Sequence, residues 1–501
     1  MKINAAIVLL VVVAALEGEA RVAIPAKVRM PPSLPGETMN VFPLGPDNAL
    51  RGRVATAMQV PVPDGGPDVA LFLASPPLAP NDVDPVAARQ TASSFFNSVL
   101  GPSAGGETRH ELAERLVVAR QRVQNDGTRG DVVEDSSWYR VNRFVGPFPI
   151  YGVGSVASLE IRGDDIVSAV IRWDRVSGPP TSSQRIPLDE KTLVSGIERA
   201  IPDARFVFVD VLSSPELVYY DDRNFLYPAY RVVVSVNRFD GAPADTMDVF
   251  IPAVNREPEP PPPSNQLAVD CNAPVQTNPA GMRLDRYALT TDGNQWIENG
   301  YLFVAGLTLQ GSNLAPRHFC FLEEPMLLSE KSGFIDSSHI ALIESHGLPG
   351  RIQVLGMGRR LEWVDVVNTG GYGAGEESLR LLILHSCEVI QTADDDKSGW
   401  DAPWRKVFGG LHTVLGYRTT MSISDGVSIA FARHLYDDKP MIRSWFAEIA
   451  SANRQALGAS PAGTKKTGRG AAITVCGHDH AKRRDLARLD PTCLESFWFK
   501  D

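Results

Sequence analysis

Two stretches constrain the fold more than any other part of the chain: "HIALIESHGLPG", starting at His339, and "LRLLILHSCEVI", over residues 379–390. Each is apolar without alternation. Each stops at residues capable of chemistry, His346-Gly347 in the first and Ser386-Cys387 in the second. A strand with one wet face alternates, whereas a run that is apolar at every position is buried on both faces, as in a parallel sheet covered by helices. Segments 404–417, 424–437 and 440–457 carry apolar residues at helical spacing and supply the cover, with Ser424 and Pro440 as start signals. Residues 267–501 are therefore expected to form one α/β domain with a mostly parallel sheet. Its two polar clusters should be neighbours at the carboxyl ends of the strands, where open α/β sheets place their sites.

The boundary of that domain is set by "REPEPPPPSNQ", residues 256–266. Successive prolines cannot join a sheet and favour an extended, semi-rigid form, so this segment reads as a linker. Upstream, residues 81–255 read as an α+β module. Helices are expected over 85–100, capped by Asp84, over 111–123, and over 188–200. Valine-, isoleucine- and tyrosine-rich strands punctuated by Gly-Asp or Asp-Gly turns fill the stretch from 136 and build an antiparallel sheet with a helix on one face. Residues 21–80 are rich in proline and glycine and read as an extended lead-in with at most one strand. No internal repeat is present.

The N-terminus has Lys2, an apolar stretch from Ile7 to Leu16, and small residues at Gly18 and Ala20. That pattern is a signal peptide over residues 1–20, and its core is well short of the ~20 apolar residues of a membrane span. A secreted or periplasmic protein of a bacterium, with no stable membrane span after cleavage, is the expectation. The net charge of -10 has no accompanying basic stripe, which argues against a nucleic-acid partner. All five cysteines lie beyond residue 270, and five is odd. Cys476 and Cys493 are close in the chain and Cys271 and Cys320 could close a second loop, leaving Cys387 reduced, although other pairings are equally allowed.

Two resemblances add to this. The segment "IYGVGSVASLEIRGDDIVSAVIRWDRV" and the phrase "LYPAYRVVVSVNRFDGAPADTMDVFIPAVN" resemble propeptide-like and PepSY modules, which bind or restrain a partner domain. A strand ending in His-Gly, followed some forty residues later by one ending in a small residue and Cys, resembles the caspase-like (clan CD) cysteine peptidases, and the CHAT variety in particular. The chain also resembles secreted bacterial proteins of unknown function. The caspase-like resemblance, carried by residues 335–440, implies Cys387 as nucleophile and His346 as base. The amides of Gly347 and Cys387 would face the oxyanion. It further implies a peptide or protein substrate, no cofactor and no metal, with the N-terminal module making a prodomain contact within the chain.

The chemistry stands independently of the family. A thiolate attacks a carbonyl far better than a thiol, and a nearby imidazole keeps the pair ionised. Glycine after the histidine lets the backbone approach without a Cβ in the way. His385, Glu388 and His412 are secondary candidates, the two histidines as orienting groups or metal ligands; a Glu388 carboxylate turned inward would oppose thiolate formation. "CGHDH" at 476–480 reads as a disulfide cysteine with two surface histidines, and "TADDDKSGW" as a solvated loop whose Trp400, like Trp404 beyond it, packs inward. A second reading, a non-catalytic binding protein with a degenerate caspase-like domain, places Cys387 out of reach or in a disulfide.

Overall fold

The computed structural model describes residues 21–32, 37–62, 68–73, 84–101, 108–113, 115–152, 154–200, 207–238, 245–255, 282–289, 294–308, 313–319, 321–328, 334–356, 360–366, 370–396, 399–421, 425–452 and 468–500. The expected signal peptide, the proline-rich linker, Cys271 and Cys320 lie outside the described residues.

The amino-terminal half contains β1 (Thr38–Gly45), α1 (Leu50–Ala57), β2 (Val69–Phe72), α2 (Pro85–Leu100), β3 (Leu116–Gln124), β4 (Val133–Val145), β5 (Ser155–Arg162), β6 (Asp165–Trp173) and α3 (Glu190–Ala200). The α2 helix begins where its residues dictate: the Asp84 carboxylate accepts from Val86 N at 2.9 Å, and a proline occupies the first turn. Residues 111–123 are not a helix. They form the end of a strand at Thr108–Leu112 and most of β3. Local helical spacing lost to pairing with partners on both sides of β3, one of them at the far end of the sequence. The stretch read as a lead-in also folds, giving β1, α1 and β2, because β1 and β2 find partners in Thr181–Gln184 and β6.

The carboxyl-terminal half runs β7 (Met282–Ala288), α4 (Asn294–Leu307), β8 (Leu314–Phe319), β9 (Ile340–Glu344), β10 (Leu381–His385), α5 (Asp401–Val407), β11 (Thr413–Tyr417), α6 (Asp425–Tyr436), α7 (Met441–Ala452), β12 (Gly470–Val475) and β13 (Cys493–Phe499). In space the order is β8-β7-β9-β10-β11, all parallel. From there β12 and β13 continue antiparallel, and β13 pairs with β3, so the sheet passes without a break through β4, β5, β6 and β2. The sheet is thus mixed rather than mostly parallel. Its parallel part ends where the chain after α7 returns as two adjacent antiparallel strands, tied by a Cys476–Cys493 disulfide with Cα atoms 5.5 Å apart.

Unbroken apolarity in β9 and β10 has the expected cause. Ile340, Leu342, Leu381 and Ile383 join a core with Phe303, Phe431 and Trp445 from α4, α6 and α7. Ala341, Ile343, Leu382 and Leu384 face the other way, into a core with Ile352, Trp400 and Trp404. The expected helix over 404–417 splits in two: α5 stops at Val407, and β11 starts at Thr413. Gly409 and Gly410 lie between them. Gly410 takes φ +143, and a Cβ there would sit 2.1 Å from the Gly373 carbonyl, so only glycine makes this turn. Among the described residues no helix is long and apolar enough to cross a membrane.

Candidate functional site

β9 and β10 pair in parallel with Glu344 opposite His385, so the residues that follow each strand leave the sheet together. After β9 the chain passes through His346 into a short hairpin in which Gly347 pairs with Ile352. After β10 it turns through Ser386 and Cys387 and runs beside residues 417–421. Glu388 N donates to Thr419 O at 3.2 Å, and Ile390 N to Tyr417 O at 3.1 Å. The 346–350 and 386–390 segments lie in direct backbone contact. A Cβ on Gly347 would meet the Cys387 carbonyl oxygen at 2.0 Å and the Cys387 nitrogen at 2.8 Å. Gly350 N donates to Val389 O at 3.1 Å. The two clusters expected to be neighbours are neighbours, and glycine is the residue that lets them touch.

Cys387 is half-buried and stands as a thiol. Its Sγ accepts from Met421 N at 3.4 Å, a contact that favours negative charge on sulfur, and its S–H donates to Met421 O at 3.9 Å, a contact that favours the thiol. His346 is buried, and its carbonyl accepts from Gln353 N at 3.0 Å. Glu388 has φ +56, the left-handed region where a residue with a Cβ is strained. The strained position directly follows the Cys387 thiol in the chain.

The secondary candidates separate. His385 is fully inside, with Nδ1 3.1 and 3.2 Å from the two carboxylate oxygens of Glu344. His412 is at the other end of the sheet: it precedes β11, its neighbour Thr413 pairs with Leu381 at the start of β10, and its ring is 4.9 Å from that of His478. It takes no part in a site at the carboxyl ends. Burial, with His478 beside it, pushes His412 down to about 4. The aspartates of the 394–396 loop also have structural work. Asp395 accepts from Arg418 Nε at 3.1 Å and from Thr392 Oγ1 at 3.0 Å, and Asp394 accepts from Trp498 Nε1 at 2.9 Å. Trp400 and Trp404 are core residues.

Sequence reasoning missed Glu344, Asn299 and Arg286, which gather behind the strand ends. Asn299 Nδ2 donates to Glu344 Oε1 at 2.7 Å and lies 2.8 Å from His385 Nδ1. Burial pushes the Arg286 guanidinium down to about 10, with Glu344 acting in the opposite direction. One signal was available: Glu344 ends an otherwise apolar run, and a lone carboxylate there needs a partner.

Three comparisons bear on identity. A domain of unknown function (DUF6345) has a family model that matches residues 322–491, a span holding β9, β10, β11 and β12. No curated protein matches the chain. Solved structures with some likeness include an uncharacterized protein from Eubacterium rectale ATCC 33656, 12% identical, with 34% of this chain and 54% of that chain covered and a TM-score of 0.21. Another is a secreted C11 cysteine protease from Bacteroides thetaiotaomicron in complex with an irreversible peptide inhibitor: 8% identity, 39% and 66% covered, TM-score 0.26. The chain thus spans about half and about two thirds of these two proteins, and scores of this size establish neither a shared fold nor a shared activity.

Proposed function

We propose that the chain is an exported cysteine peptidase, or a related acyl-transfer enzyme, in which Cys387 is the nucleophile and His346 the general acid and base. The observation that carries this reading is the backbone contact of Gly347 with Cys387 at the ends of two paired parallel strands. It brings a histidine-glycine pair and a cysteine together from forty residues apart. As thiolate, Cys387 attacks the carbonyl carbon of a peptide; the S–C bond forms and the amides of Gly347 and Cys387 face the oxyanion, each such donor being typically worth ~3 kcal/mol. The C–N bond then breaks as His346 gives a proton to the leaving nitrogen. Water attacks the thioester, passing a proton to His346, and the thiolate leaves. The amino-terminal module acts as a built-in restraint on this domain rather than as a detachable prodomain, in keeping with the sheet that runs through both.

The test uses the full chain, a mixture of unstructured peptides, and a peptide-like electrophile that labels thiols. Cys387→Ala and His346→Gln are each expected to lower peptide hydrolysis by a factor of about a hundred or more. No hydrolysis by the unaltered chain, together with no labelling of Cys387, would sink the proposal. Burial of His346 favours a second reading, a non-catalytic binding protein, and that pair of results is what it predicts.

A further inference from the structure

Residues 418–421 leave the end of β11 and run beside the cysteine segment, which they meet through Thr419 O and Met421. Arg418 fixes where they run. Its side chain is buried, and its guanidinium binds the Asp395 carboxylate with two bonds, from Nε at 3.1 Å and from Nη2 at 3.0 Å. That is the bidentate pairing a planar fork makes and an ammonium cannot. Asp395 belongs to the turn that follows Cys387, where it also accepts from Thr392 N at 3.2 Å and Thr392 Oγ1 at 3.0 Å. The third nitrogen, Nη1, donates to Phe499 O at 3.1 Å, at the end of the seam strand β13. On the far side of 418–421, Arg418 N donates to Arg469 O at 2.9 Å and Thr419 Oγ1 accepts from Arg469 N at 2.8 Å. One side chain thus joins the segment carrying Cys387, the segment carrying Met421, and β13.

The placement matters because the two contacts of Sγ oppose each other. Met421 N–H favours the thiolate and Met421 O favours the thiol, so a small displacement of residue 421 decides which prevails. The nitrogen is the nearer of the two. The other titratable groups around Cys387 are His346 after β9, His385 and Glu388 beside it in the chain, and Tyr417 on β11; from α4, α6 and α7 the core it packs on brings apolar Phe303, Phe431 and Trp445. The charge of Arg418 is already balanced by Asp395, which leaves its geometry as its contribution. We propose that Arg418 is the positioning residue of the Cys387 site: by binding Asp395 and β13 it holds Met421 N on Sγ and so favours the thiolate. This rests on the reading of Cys387 as a nucleophile.

The experiment measures the rate at which iodoacetamide alkylates Cys387 in the folded full chain as a function of pH, read by mass spectrometry on the peptide carrying that residue. Only the thiolate reacts, so the midpoint of the profile reports its stability. Arg418→Lys, which keeps the cation and loses the fork, and Asp395→Asn should each move the midpoint up by about one unit. The sign matters. If Arg418 acted through its charge, Arg418→Lys would leave the midpoint in place and Asp395→Asn, by freeing that charge, would lower it. A purely structural role would change how much of the chain is folded and leave the midpoint of the folded fraction where it was. Unchanged midpoints in both variants, or a lower one in Asp395→Asn, overturn the inference. Should these variants fail to fold, Thr419→Val carries the test: losing the hydroxyl that holds 418–421 to Arg469 N should also raise the midpoint, with Thr419→Ser restoring it. An unmoved midpoint in Thr419→Val overturns the inference as well. Peptide turnover separates the two proposals. Turnover that disappears in His346→Gln, with midpoints unmoved in Arg418→Lys and Asp395→Asn, overturns this inference and leaves the proposed function standing; raised midpoints without turnover support the positioning role and count against the peptidase reading.

Discussion

At residue 347 one hydrogen atom in place of a methyl group allows the two strand ends to meet. A Cβ there would stand 2.0 Å from the Cys387 oxygen and 2.6 Å from Val389 Cγ2, and the first of these contacts is with backbone that cannot rotate aside. Gly347→Ala should therefore force the 346–350 and 386–390 segments apart, at a cost of about 2 kcal/mol or more in overpacking strain. Denaturant unfolding of the full chain measures it. A loss below about 0.5 kcal/mol, the level of an ordinary surface change, would mean that the contact is slack. Neighbouring Glu388 shows the opposite bargain, since it keeps its side chain in a left-handed conformation that glycine would adopt without strain.

Among the elements, β11 shows how a strand can carry one residue that belongs to a different problem from its neighbours. Its carboxyl end leads into the site, while His412 before its start is packed against His478 and held neutral, pushed down to about 4. An unfolded chain binds a proton to this residue near pH 6.5, so between about 6.5 and 4 the unfolded state takes up the extra proton and stability falls as pH falls. The contribution is fully present above about 6.5 and amounts to something on the order of 3 kcal/mol. His318, also at about 4, acts in the same direction; Asp174 and Asp248, raised to about 6 by burial, act in the opposite one. The informative measurement is consequently a difference. Melting temperature followed from pH 7 downward should drop more steeply in the unaltered chain than in His412→Asn, and parallel curves would show that His412 does not titrate in this way. The elements also show what was legible in advance. The α2 helix announces itself with Asp84 and Pro85, and β9 and β10 with their unbroken apolar runs, because the causes are local. Residues 116–123 and 413–417 look helical locally, yet their partners β13 and β12 are remote in sequence. Cys387, His346 and Gly347 were legible from strand ends, whereas the Glu344–Asn299–His385 group required knowing that α4 lies over β9 and β10.

For the whole molecule, the continuous sheet decides how separable the halves are. β13 pairs with β3 along seven residues, from Cys493 opposite Gln124 to Phe499 opposite Val118. Around that seam Arg172 holds Glu448 of α7 at 2.9 Å, and Glu448 in turn contacts His434 Nε2 at 2.7 Å. Arg162 reaches Asp135 at 2.5 Å and Asp479 at 3.4 Å, and Trp400 Nε1 donates to Gln121 Oε1 at 2.8 Å. Parting the halves would expose the edge of β13 and take Arg172 from Glu448 and Arg162 from Asp479; breaking one buried pair typically costs ~3–5 kcal/mol. α7 also carries Trp445, which touches His385, so the module supports the helix that lines the candidate site. A protease site inserted within residues 256–266 and cut in the folded protein should therefore yield two chains that co-elute in size-exclusion chromatography and separate only in denaturant. Labelling of Cys387 should survive the cut unchanged. Dissociation of the amino-terminal fragment in native buffer would instead return that module to the role of a detachable prodomain, with the seam as its release surface.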